Sequence, residues 1–127
     1  MSLGQTIYTA VTGDAGVGAL VAARCYPLLL PQYPTLPAIT YQRISNSEQG
    51  GTTAIRRSRW QFDCWAATYA GAHELAALLK TALEEYSDTD QTPGIKMSLV
   101  ANELDDYDPD TQQYRTIVDV FFITTGD

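Results

Sequence analysis

Between Ala54 and Tyr86 the spacing of apolar positions changes period, and that change defines the architecture of the chain. Arg56, Ser58, Trp60, Phe62 and Cys64 alternate with Arg57, Arg59, Gln61 and Asp63, so that one face grows apolar while the other stays polar. A period of two belongs to a strand with one buried face. Beyond Thr68 the residues Leu75, Leu78, Leu79, Ala82, Leu83 and Tyr86 recur on one stripe. Their spacing predicts an amphipathic helix fed directly by the strand.

The rest of the chain divides by the same logic. Ile7, Ala10 and Val11 predict a short helix over 5–11, broken by Gly13 and Asp14, and the small residues from Ala15 to Ala22 predict a second that packs closely. Ala23 to Leu30 reads as a strand or extended arm. It enters a stretch holding Pro27, Pro31, Pro34 and Pro37, where missing donors and restricted backbones exclude both helix and central strand. Ala38–Ser45 is rich in β-branched and aromatic residues. With the strand around Trp60 it forms an antiparallel pair, joined through the polar run Asn46–Thr53 as a flexible hairpin tip. Ser87–Gly94 reads as a loop, followed by strands over Ile95–Asn102 and Tyr114–Thr124, with a turn expected at 105–111 around Asp-Pro-Asp-Thr.

The predicted order is α-α-β-β-β-α-β-β: an α+β fold with a mainly antiparallel sheet and one long helix packed across it. The last strand departs from simple alternation, because Val118, Val120 and Phe122 lie on one face while Ile117, Phe121 and Ile123 lie on the other, interrupted by Asp119. Two explanations stand. Either the N-terminal helices cover the face opposite the main helix, or the second apolar row is an intersubunit surface.

Composition narrows the function classes. A chain of 127 residues suits one domain over 1–127 with its own core. Net charge is -7 and pI about 4.4, which argues against a general polyanion binder. The charge is uneven: residues 1–64 hold five arginines against three acids, and residues 65–127 hold three cations against twelve acids. Apolar runs are too short for the ~20 residues of a spanning helix, so no membrane partner is expected. Cys25 and Cys64 read as reduced core thiols, with no leader segment pointing to an oxidising compartment.

Candidate chemistry is sparse. Asp106, Asp108 and Asp110 match the start of a calcium-binding EF-hand loop, but Thr111 stands where its glycine belongs and Ile117 where its glutamate belongs. A solvated acidic turn is the expectation. Asp63 and Cys64 neighbour each other on a strand, so their side chains leave on opposite faces, and the single His73 sits on the helix. No thiol-base pair is expected from that arrangement. Arg56, Arg57 and Arg59 beside Trp60 form a weak single-strand-binding stripe or, as we read it, part of a protein interface. Phosphate-loop, dinucleotide and zinc patterns are absent from the sequence. No cofactor or catalytic residue is expected.

Arg24-Cys25-Tyr26-Pro27, Leu36-Pro37-Ala38-Ile39-Thr40-Tyr41-Gln42-Arg43-Ile44 and Arg59-Trp60-Gln61-Phe62-Asp63-Cys64-Trp65-Ala66, taken together, resemble the tail completion proteins of long-tailed bacteriophages, also called tail-to-head joining or tail terminator proteins. The likeness continues through the helix and into Leu104-Asp105-Asp106-Tyr107-Asp108-Pro109-Asp110-Thr111 before Tyr114-Arg115. It implies a non-catalytic virion subunit, assembled in the host cytoplasm, that forms a hexameric ring at the head-proximal end of the tail. Its partners would be other copies, the tail tube protein and the head completion or connector protein, with DNA passing through the lumen unbound. An acidic lining repels DNA and suits such a conduit. The candidate interface residues are Arg56, Arg57, Arg59, Glu48, Gln49, Asp105, Asp106, Asp108, Asp110 and Phe121. The alternative is a non-viral or head-side adapter that pairs a sheet edge with its partner.

Overall fold

A computed structural model describes residues 2–48, 55–90 and 94–125. Three helices, α1 (Leu3–Gly13), α2 (Ala15–Val21) and α3 (Tyr69–Leu83), accompany five strands: β1 (Cys25–Pro27), β2 (Ala38–Glu48), β3 (Ile55–Ala66), β4 (Gly94–Asp108) and β5 (Gln113–Thr125). The α+β class and the order of elements are those expected from the spacing of apolar positions. The sheet runs β1-β2-β3-β5-β4. Its pairings are antiparallel except β1 with β2, which is parallel.

Helix starts follow side-chain capping. Ser2, Asp14 and Thr68 each accept a hydrogen bond from a first-turn amide, that of Gln5, Val17 and Gly71 respectively, so each supplies an acceptor for an otherwise unpaired donor. The apolar stripe of α3 buries Leu75, Leu79 and Leu83, with Ala72 and Ala76 between them. Tyr86 lies beyond the helix end. On β3, Trp60, Phe62 and Cys64 are buried as their alternation predicts, against Val120, Val118 and Thr116 of β5 in register.

All three helices bury their apolar residues in one cluster. Leu3, Ile7 and Val11 of α1 and Val17 and Val21 of α2 join Leu75, Leu79, Phe62, Val118 and Phe122. Of the two explanations, the one in which the N-terminal helices cover the opposite face is therefore overturned, and the row Ile117, Phe121, Ile123 has no helix above it. These three are half-buried, and Met97 and Leu99 on β4 beside them are over two-fifths exposed.

Two further boundaries differ from expectation. The proposed arm is a strand only over Cys25–Pro27, because prolines end it. The turn expected at 105–111 is strand as far as Asp108, since Asp106 opposite Arg115 and Tyr107 opposite Tyr114 make cross-strand partners. Asp105 and Asp106 are consequently held and do not form a solvated turn.

Candidate functional site

Alternation along β3, β4 and β5 builds the helix-free face of the sheet, and three arginines organise it. Arg115 on β5 lies between β3 and β4. Its Nη1 donates to Asp63 Oδ2 at 2.8 Å, while Nη2 and Nε donate to Asp106 Oδ2 at 2.6 and 2.9 Å. Its guanidinium also lies 5.1 Å from the centre of the Trp65 ring. Asp63 accepts a further hydrogen bond from Gln61 Nε2 at 2.9 Å. Burial pushes the Asp63 carboxyl up, and Gln61 and Arg115 only partly offset that.

Arg59 donates from Nη2 to Asp119 Oδ2 at 2.5 Å, and the Asp119 side chain is only 7% exposed. Asp119 Oδ1 and Arg59 Nε are buried without a partner among the described residues. Arg57 lies one strand position pair further along, its guanidinium 4.0 Å over the Phe121 ring, a cation held flat on an aromatic. Of these two candidate interface residues, Arg59 is thus tied to Asp119 of its own chain.

The acids of β4 divide between the two faces. Glu103 and Asp105 turn toward α3, where Lys80 Nζ lies 3.1 Å from Glu103 Oε1 and His73 Nε2 lies 2.9 Å from Asp105 Oδ1. Tyr69 Oη and Thr116 Oγ1 also donate to Asp105, at 3.1 and 3.3 Å. Desolvation pushes the Asp105 carboxyl up, but His73 and these hydroxyls outweigh it and hold the group below the usual carboxylate range. Asp106 and Asp108 share the helix-free face, and Asp108 Oδ1 accepts from the Asp110 amide at 3.0 Å.

The candidate residues therefore fall at two ends of one sheet. Arg56, Arg57 and Glu48 lie where β2 and β3 converge on their hairpin; Gln49 lies outside the described residues. Asp105, Asp106, Asp108 and Asp110 lie at the opposite end, beside the β4–β5 turn. Phe121 lies on the helix-free face near Arg57.

Spacing alone missed three features. Arg115 had a signal, being an isolated cation at a period-two position opposite acids, as did Asp119, the one charge inside an apolar row. The third is a cleft of about 970 Å³ between residues 28–34 and the acidic end of the sheet, floored by Gln42, Gln61, Asp63, Trp65, Gln113 and Arg115. Above it Leu28, Leu29 and Tyr33 are 65, 78 and 90% exposed. Leu28 and Tyr33 hold φ of 68° and 54°, a region that costs any residue with a side chain. The arm is fixed at its base by Arg24, which donates to the carbonyls of Pro37 and Leu20 at 3.1 and 2.8 Å.

The thiols and the histidine stand apart among the described residues. Cys64 and Cys25 are free and buried, and burial pushes the Cys25 thiol to about 12 and the Cys64 thiol higher still. His73 contacts Asp105 and not a thiol. Among the described residues no group of three or more His, Cys, Asp or Glu side chains is placed to hold a metal ion. No helix among them is long and apolar enough to cross a membrane.

Comparison with known proteins matches this outline to a virion component. A chain from a structure described as the virion of a native gene transfer agent particle superposes with a TM-score of 0.67 at 18% identity, covering 98% of this chain and 96% of that one. At that identity the likeness concerns the fold. No curated protein sequence matches. The profile of the family described as tail completion protein gp17 matches residues 5–125, and the chain belongs to that family of structural tail proteins.

Proposed function

We propose that this chain, acting as one domain over 1–127, is a ring-forming subunit that caps the tail tube at its head-proximal end and joins it to the head connector. The observation that carries the reading is the sheet face left uncovered by all three helices, on which an apolar row is framed by Arg57 at one end and by Asp106 and Asp108 at the other. A closed ring of identical subunits needs two different, complementary surfaces on each copy. Opposite charges at opposite ends of one face supply them. The family match supports the placement in a tail.

Native mass spectrometry across a range of concentrations, with and without purified tail tube, tests it. Hexamers, formed alone or on the tube, are expected, and labelled subunits are expected at the head-proximal tail end in electron micrographs. Persistent monomers under both conditions overturn the ring.

A second reading rests on β4. From Leu99 to Asp108 most of its residues are exposed, and an exposed edge of that length offers backbone pairing to another chain. An adapter of that kind gives one-to-one complexes in the same measurement.

A further inference from the structure

The cleft beneath the proline-rich arm and the Arg57 patch are complementary, yet one molecule cannot bring them together. Arg57 and Trp65 lie eight residues apart on β3, a span of about 27 Å at strand rise. At one end Arg57 stacks on Phe121, and Ile123 and Met97 follow it in register across β5 and β4. Arg57 makes no ion pair among the described residues. At the other end the cleft offers the exposed Leu28, Leu29 and Tyr33 with Asp108 at the rim. Arg115, its one lining cation, is taken up by Asp63 and Asp106. The cleft therefore sets an apolar arm against a polar floor with a residual negative charge, and the distant patch is apolar with a residual positive one.

We propose that the cleft receives the Arg57-bearing end of β3 and β5 from a second copy of this chain. The proposal rests on the ring reading and names its contact. Apolar side chains of the arm meet Phe121 and Ile123 of the next copy, and Arg57 of that copy reaches Asp108. Because donor and receptor are different surfaces, the contact repeats head to tail, which generates a ring when the rotation closes.

The native thiols are buried, so engineered cysteines report cleanly on proximity. Full-length Leu29→Cys and Arg57→Cys chains are mixed, oxidised and separated. Mixed 29–57 dimers should exceed 29–29 and 57–57 dimers, while the parent chain gives none. Asp108→Arg should weaken assembly roughly tenfold or more, since like charges then face each other, and adding Arg57→Asp in the same chain should restore it. Rings without 29–57 crosslinks, assembled equally well by Asp108→Arg, overturn this contact and leave the ring intact. Monomers at every concentration, with tail tube present, remove the ring and the second copy with it. Crosslinking of position 29 to a tube or connector protein in place of position 57 shows that the occupant is wrong.

Discussion

Replacing Arg115 by Met keeps much of the side-chain volume but strips the helix-free face of its central cation. Asp63 would remain with only 11% of its side chain exposed and with Gln61 as its single hydrogen-bond donor. Removing one partner of a buried ion pair costs about 3 to 5 kcal/mol. Arg115 is itself 28% exposed, so water reaches the pair and a value near the lower bound applies. The lost stacking on Trp65 adds about 0.5 to 1 kcal/mol. We expect a loss of about 3.5 to 4 kcal/mol at pH 7, against the ~5–15 kcal/mol stability usual for a domain.

The pH dependence distinguishes this mechanism from simple loss of packing. In the parent protein burial already raises the Asp63 carboxyl above its ordinary value. A group raised in the folded state favours folding below its unfolded pKa, and that contribution fades as pH climbs through the folded value. Without Arg115 the folded value rises further. The penalty in Arg115→Met should therefore be largest at pH 7 and shrink toward pH 5 as Asp63 takes up a proton. Adding Asp63→Asn should recover about 1 to 2 kcal/mol, because the stranded charge is gone. Urea titrations of the four proteins of the double-mutant cycle at both pH values measure this. Equal losses at pH 7 and pH 5, with no recovery from Asp63→Asn, would refute the reasoning.

Phe62→Ala, which empties a fully buried ring site between Tyr41 and Phe122, should cost about 3 to 5 kcal/mol by thermal or urea unfolding. Arg57→Glu should lower stability by no more than about 1 kcal/mol, the stacking on Phe121, while weakening assembly in native mass spectrometry. Arg59→Glu, set against the buried carboxylate of Asp119, should destabilise the monomer itself. Carbon-detected NMR should find the Asp105 carboxyl titrating below the ordinary aspartate range, and His73→Ala should move it upward. An unmoved midpoint contradicts the assigned contact.

The elements with clean periodicity were legible. β3 alternates because half its residues face Leu75 and Leu79, and α3 repeats because its stripe covers that same face. Contacts set by distant partners were not. Asp is a poor strand former, so 105–111 read as a turn, whereas Arg115 and Tyr114 across the ladder hold Asp106 and Tyr107 in the strand. The placement of α1 and α2 beside α3 depends on packing that no local pattern encodes, and so does the parallel pairing of β1. Of the candidate interface residues, Arg57 and Phe121 could be named from their strand positions. Their stacking, and the capture of Arg59 by Asp119, required the register between β3 and β5.

These corrections alter the electrostatic argument more than the fold. Read from composition, five arginines in the first half and twelve acids in the second make a subunit with two charged halves. In three dimensions many of those charges cancel locally: Arg59 with Asp119, Arg115 with Asp63 and Asp106, Lys80 with Glu103. Among the described residues of the helix-free face, the charge left over is small and directional: Arg57 on Phe121 at one end, and at the other Asp108 together with the second carboxylate that the single charge of Arg115 does not balance. Charges that neutralise each other inside a subunit cannot steer its association, whereas Arg57 and Asp108, level with Ile123 and Gln113 at opposite ends of β5, can align one copy with the next. Specificity for a head-to-tail arrangement would then come from these few groups, with the apolar row between them supplying the area that makes the contact last.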